Sequence, residues 1–561
     1  MARPIELILD KEEDELDKAS IRIIGPNRES ATESFDLIWR DKEIWEAVFL
    51  SAELNARDRN TWPTGRAFKK ATEIGLFDKG RPATDRLKII GQKLYGAVFC
   101  TQEIRSTFDY LLLQSDEIPI VELHIQASGS ILQAYPWELL HNGQDFLFRG
   151  RRAILVRHVD LRQSVTPVDL AEMLEVVYIA PRPDMTSYPK YESLPPHTSD
   201  RLPVEELSRE YPNVFNVHSL PVNTLDALHN HLKRSEQATH VVHIDTHGDF
   251  GWLCDECRSL NTPGSKICFT CKGPRSPDHK SRGFLAFEAS SGELEWIDGD
   301  DLGLRLHRRG IPIAVLSACK SGFVAGRSTF NSVAGALIKQ GIPAVIAIQL
   351  SIDTQQSKKL SAILYEMLTF GAPLTEAVAE ARIGLSDESW YRPVLYLRTD
   401  IDNYRGNVLQ PVTSMGRSLD SYELAKELAE WKVVHHECQV LLDAIDKPLS
   451  SMTECYWKPD PDGARLNVAG IEWREHCMPQ SKDIPSGWNL RYAQIPIIGS
   501  LPVQASEFRD ISRELMKVKP SSDEFRKVYG RVRELRGVLW RLLTVADDRI
   551  RKLIDLLHPG D

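Results

Sequence analysis

Nowhere in this chain does an apolar run approach the length of a bilayer span, which argues against a helical membrane protein. The opening MARPIELILDKEED lacks the basic-then-apolar pattern of a secretory signal. A basic excess is also missing. With a net charge of −10, strong general binding to nucleic acid or anionic membrane is not expected. A disulfide framework is not evident either: the nine cysteines are odd in number and four crowd one short stretch. These absences together read as a cytoplasmic protein. What remains is ordinary globular material, 42% hydrophobic and 26% charged over 561 residues, enough for three or four domains.

Two stretches carry the chemistry. Ile311 to Gly322, IPIAVLSACKSG, begins as a short β-branched apolar run, the pattern of a strand buried on both faces of a parallel sheet. It breaks off at small residues around Cys319, and ligands of open α/β sheets bind just past the carboxyl ends of strands. Taken alone, Cys319 is equally well explained as a buried structural cysteine. Thr239 to Phe250, THVVHIDTHGDF, repeats the pattern, with a strand that ends in His247-Gly248. If the two strands are neighbours, His247 can face Cys319 across the sheet edge, as a cysteine nucleophile and its base require. Gly248 is expected to let the backbone turn sharply there.

With these stretches the chain resembles the CHAT family of caspase-like, separase-related cysteine peptidases. The motifs are His243 to Gly248, Ser317 to Gly322, Asn331 to Ala347 and Ala377 to Leu385, with Pro136-Trp137-Glu138-Leu139-Leu140 upstream. They cover about residues 80 to 400 in the family's order. The resemblance implies that His247, not His243, is the base. It also supports an oxyanion hole made by the backbone N–H groups of Gly248 and Cys319. It implies a degenerate, non-catalytic front half. In relatives such as separase an acid at the place of Asp353 helps bind a basic side chain. Asp353 with Gln356 also reads as a helix capping box, which explains the acid without a substrate.

The expected fold is α/β: a caspase-like, mostly parallel sheet with helices on both faces, since helix and strand patterns alternate from about residue 165 to 370. Residues 1–165 form the α/β front half, where His124 and His141 read as structural and Trp137 as a core anchor at a domain contact. Residues 166–400 form the catalytic domain. Within it, Pro181 to Pro196 is too rich in proline for regular structure and reads as a surface loop or a loop over the site.

Between His247 and Cys319 lies an insertion, residues 251–275. Cys254, Cys257, Cys268 and Cys271 form two CxxC pairs, and four thiolates at this spacing suit one structural zinc ion, Zn(2+). So short a segment has no core of its own, so the metal would fold it. Trp252, Cys254, Cys257, Asn261, Cys268 and Cys271 resemble the frame of the Ran-binding-protein type of zinc finger. Arg258-Ser259, and Thr262 to Lys266, depart from the residues with which members of that family bind ubiquitin or RNA. The finger's ligand therefore stays open.

Residues 401–420 read as a linker and 421–561 as a mainly helical interaction module for a protein partner or activator. His435, Cys438, Cys455, His476 and Cys477 are spaced too loosely for a clear metal site. The functional expectation is a cysteine endopeptidase making limited cuts in a protein substrate through His247 and Cys319. The regulated relatives suggest a setting of signalling, cell death or antiviral (anti-phage) defence. A catalytically silent scaffold, and a cysteine-dependent acyl transferase or deconjugating enzyme, are the alternatives.

Overall fold

A computed structural model describes residues 4–398 apart from 12–17, 55–61, 114–117, 126–130, 159–167, 186–200, 318–331 and some single or paired positions. Beyond these it describes 409–411 and scattered helical positions between 427 and 554. The chain divides into two compact units, Met1–Gly416 and Arg417–Asp561.

The first unit is built on one eleven-stranded sheet. From one edge to the other its strands are Phe215–Ser219, Leu174–Ile179, Val241–Ile244, Ile313–Leu316, Ala344–Ile348, Pro393–Leu397, Ile154–His158, Ile120–Ile125, Ile5–Lys11, Lys18–Ile24 and Ser30–Asp36. Pairing is parallel except along Pro393–Leu397 with Ala344–Ile348, and in the meander formed by the last three strands. The expected mostly parallel α/β sheet is therefore present. Its strands Val241–Ile244 and Ile313–Leu316 fall within the two apolar runs read from the sequence, because each is a β-branched apolar run before a polar or small-residue break.

Alternation along the strands decides what each face meets. Val242, Ile244, Ala314, Leu316, Val345 and Ala347 share one core with residues of helices Leu225–Arg234, Gly299–His307 and Val333–Lys339. His243 points the other way, to Tyr365 on helix Thr354–Thr369. Helices thus cover both faces, and the carboxyl edge of the central strands is left to carry the loops.

The front half and the half carrying His247 share this sheet. They meet where Tyr396 and Leu397 pair with Arg157 and His158. Beneath the seam lies a buried polar network. Arg157 donates to both carboxylate oxygens of Glu138, at 3.1 and 2.7 Å, and to Gln349 Oε1 at 2.8 Å. Gln349 reaches back to the Ala134 carbonyl at 3.3 Å. Arg382 donates to the Pro393 carbonyl from two nitrogens and lies 3.9 Å from Glu138. Burial and the Arg157 charge draw Arg382 down to about 10 against the pull of Glu138, so it still carries its proton at neutral pH. Trp137, expected as a core anchor, is buried beside this network and donates to the Leu132 carbonyl.

In the second unit, the described positions between 427 and 442, and between 527 and 554, are helical. Leu428, Trp431, Cys438 and Leu442 are buried, as are Leu539, Leu543, Ala546 and Leu553. Glu427 pairs with Arg549 at 2.8 Å and His435 with Asp547 at 3.0 Å. His435 is thus committed to a carboxylate, while Cys455, His476 and Cys477 lie outside the described residues, as do residues 412–426 of the expected linker and helix start. Among the described residues no helix is long and apolar enough to cross a membrane.

Candidate active site and cysteine cluster

Strand pairing brings the two chemical stretches together. Val241–Ile244 and Ile313–Leu316 are adjacent and parallel, in the register Val241↔Ile313 to Ile244↔Leu316. His247 stands three residues past Ile244, and Cys319 three residues past Leu316. Both therefore follow the same end of neighbouring strands by the same length of chain. Cys319 lies outside the described residues. The last described residue before it is Ser317, whose N–H donates to the Ile244 carbonyl at 2.9 Å.

The two histidines of the motif differ in surroundings. His243 is fully buried, with Nδ1 2.9 Å from the Tyr365 hydroxyl and Nε2 2.8 Å from Ser317 Oγ. Both ring nitrogens are occupied by hydroxyls. His247 lies beyond the strand end and is half-buried, and its carbonyl accepts from the Ala286 N–H at 2.9 Å. Gly248 does not make the expected sharp turn. The bend falls at Thr246, and Gly248 already opens the strand Gly248–Leu253, paired with Leu285.

The acids beside His247 are engaged with other groups. Asp245 is buried; its Oδ2 accepts from the Tyr178 hydroxyl at 2.8 Å and from Arg182 at 2.9 Å. Arg182 also donates to the Asp245 and Pro181 carbonyls, and so ties down the start of the proline-rich loop, most of which lies outside the described residues. Asp249 accepts from the Phe250 N–H. Asp353 caps its helix as expected, accepting from the Gln356 N–H at 3.0 Å. The capping box is only half formed, because the Gln356 side chain instead accepts from the Ser386 N–H at 2.7 Å.

The insertion is a hairpin with a knob at its tip. Gly248–Leu253 pairs antiparallel with Arg282–Glu288, which pairs in turn with Leu294–Asp298. The knob starts at Cys254. Each CxxC forms one tight turn: the Arg258 N–H donates to the Cys254 carbonyl and the Lys272 N–H to the Cys268 carbonyl. Arg258 and Lys272 both take positive φ, 56° and 65°, strained values that a non-glycine residue adopts only under constraint.

Asn261 joins the two turns, donating to the Ser259 carbonyl and accepting from the Phe269 N–H. Trp252 is buried against Cys254 and Cys268 and donates to Ser265. Gly251 must be glycine, because a Cβ there would lie 2.0 Å from the Asn261 carbonyl oxygen. Trp252 and Asn261 thus hold the knob together.

Inside it, Sγ of Cys254 is 3.6 Å from that of Cys271, and Sγ of Cys257 is 3.5 Å from that of Cys268. All four sulfurs lie within 4.8 Å of one another. Such separations far exceed a disulfide's S–S length of about 2.05 Å. They approach the edge of a tetrahedron with zinc–sulfur bonds of about 2.3 Å, an edge of about 3.8 Å. The four side chains fit a zinc ion. Hydrogen bonds among the thiols shift them in opposite directions. Burial raises the Cys257 thiol, but bonds from Ser259, Cys268 and Cys271 outweigh it and hold it at about 6. The Gly273 N–H lowers Cys271, yet burial and the three other thiols push it up to about 12.

One group escapes the sequence reading. His124 reads there as structural, and Glu122 and His158 carry no signal. Parallel pairing of Ile120–Ile125 with Ile154–His158 sets His124 directly opposite His158. A histidine two residues after a glutamate on a strand is the sole trace in the sequence, and its partner comes from another strand.

The family profile of the CHAT domain matches residues 88–405, more than half of the chain. No curated protein matches the chain in sequence. The structure is similar to separase in the Saccharomyces cerevisiae separase–securin complex, with a TM-score of 0.37 and 11% identity. That match covers 70% of this chain and 30% of the separase chain, so this chain spans less than a third of that protein. It is also similar to the Arg specific cysteine proteinase gingipain R, with a TM-score of 0.30 and 10% identity, covering 54% of this chain and 68% of that one.

Proposed function

Since this chain belongs to the CHAT-domain family, we propose that it is a cysteine endopeptidase making limited cuts in a protein substrate through Cys319 and His247. The observation that carries this reading is the register Ile244↔Leu316, which starts both residues from one rung of the sheet. Cys319 would attack the peptide carbonyl. His247 would take the thiol proton and pass it to the leaving amine, and water would then release the acyl group. Backbone N–H groups of Gly248 and Cys319 would hold the oxyanion. Asp245 is bound to Tyr178 and Arg182, so a two-residue site without an orienting acid fits best. The half formed by residues 1–165 supports the catalytic half, residues 166–400, through the shared sheet. The test is a cleavage profile on an unbiased peptide library, with Cys319→Ala as the control. A chain that cuts nothing in the library or in folded proteins, under any activating condition, would be the silent scaffold.

The cysteine knob is read as a regulator of this site. Its stalk touches both arms: Ala286 binds the His247 carbonyl, and Gly283 packs so closely on Val333 that a Cβ would lie 2.6 Å from its backbone nitrogen. Val333 opens the helix that follows the Cys319 segment. Zinc, held by Cys254, Cys257, Cys268 and Cys271, would supply the rigidity of the knob. Metal analysis of purified protein is expected to find it there, and Cys268→Ser to lose one equivalent, about 1 zinc per chain. The same variant is expected to cut a folded protein substrate several-fold less well than a short peptide, relative to wild type. Equal, normal turnover of both substrates would make the knob structural only.

The second unit is read as a partner- or activator-binding module. Chain ending at Gly416 is expected to stay folded and to keep the peptide-cleaving site, with altered control, because the strands carrying both residues lie wholly before it. Loss of the cooperative thermal transition in that truncated chain would refute the division.

A further inference from the structure

We propose a second zinc site in the front half, formed by Glu122, His124 and His158. Three observations support it. The first is placement. Glu122 and His124 are alternate residues of one strand and so share a face, and His158 stands opposite His124 on the next strand. The oxygen and nitrogen atoms they offer lie within 4.8 Å of one another. Two imidazoles and a carboxylate are a common zinc donor set when a fourth position is left open.

The second observation is an orphaned atom. Nε2 of His124 is buried and lacks a hydrogen-bond partner. Oε2 of Glu122 is 3.4 Å away, an ion-pair distance without hydrogen-bond alignment. A buried polar atom left in this way calls for an explanation, and an ion is one. The third is the length itself. Ligands bound at about 2.0 to 2.1 Å around a tetrahedral ion are about 3.4 Å apart. The Glu122–His124 separation is what that ion requires, and is longer than a good hydrogen bond between them would be.

Access is compatible with loading from solution. The His124 side chain retains 16% of its exposure, and His158 is half-buried. His158 is the last residue of its strand and pairs on its other side with Leu397. An ion held here would staple Ile120–Ile125 to Ile154–His158 next to the seam between the halves. Imidazole and carboxylate donors with no thiolate bind zinc less tightly than the four-cysteine knob, so a mild chelator should empty this site first.

The test counts metal. The full chain is stripped by chelator, dialysed against zinc alone and measured by atomic emission. Wild type is expected to hold about two equivalents, and His158→Ala and the near-isosteric Glu122→Gln about one. Cys268→Ser should lose the other equivalent, and its combination with Glu122→Gln should lose both. Zinc should also raise the thermal midpoint of Cys268→Ser, but not that of the combined variant. Circular dichroism is the check that Glu122→Gln stays folded. A wild-type chain that holds one zinc, lost entirely with Cys268→Ser, overturns the proposal. So does Glu122→Gln with an unchanged zinc content.

Discussion

Cys319→Ala is expected to eliminate cleavage, and His247→Ala to lower kcat/KM by about 10²- to 10⁴-fold, with the fold intact in both. His247 is half-buried beyond its strand and stands outside the apolar core, so its removal leaves that core filled. His243→Ala is the contrasting variant. It empties a buried site and removes the hydrogen bonds of His243 to the Tyr365 and Ser317 hydroxyls, for a loss of about 1–3 kcal/mol. Its activity should fall chiefly in step with the folded fraction. Thermal melts and turnover on one peptide substrate, measured for all three variants, separate the roles. Near-normal turnover by His247→Ala would end the dyad assignment. A His243→Ala protein that melts like wild type but cuts nothing would move the base to His243.

Glu138→Ala is expected to destabilise the first unit by about 3–5 kcal/mol, because it leaves the buried Arg157 charge without its carboxylate partner. Arg157 is 5% exposed and Glu138 fully buried, so water cannot take over the role of the lost carboxylate. The charge of Glu138 also raises the Arg157 pKa against a burial effect that lowers it, so the guanidinium stays ionised and must be matched. Both sheet halves should feel the change, because Arg157 also binds Gln349 and Arg382 leans on the same acid. Denaturant unfolding read on the first unit checks this. A shift below about 1 kcal/mol would mean that solvent or a rearranged side chain satisfies Arg157. Glu138→Gln keeps the shape and should fall between Glu138→Ala and wild type.

These two predictions draw on different levels of information. The strands Val241–Ile244 and Ile313–Leu316 were legible as local apolar runs, and so was the break after each. The cysteine knob was legible for the same reason. CxxC turns close within five residues, Cys254 to Arg258 and Cys268 to Lys272, and need no distant partner. Asp353 was legible as a cap because its acceptor and the Gln356 N–H are three residues apart.

What the sequence alone determined is therefore the local chemistry: buried strands, helix starts, and four thiols that must meet because so little chain separates them. Only the tertiary structure decided which strands are neighbours. Parallel strands are joined by crossovers of a dozen or more residues, and crossovers of that length carry no register. Register put Ile244 beside Leu316, the strand ends that His247 and Cys319 each follow by three residues in the sequence. It also set His124 against His158, and brought Glu138, Arg157, Gln349 and Arg382 into one buried network. Those residues lie up to two hundred and more positions apart, and side-chain direction there depends on a sheet that forms only when the whole unit folds.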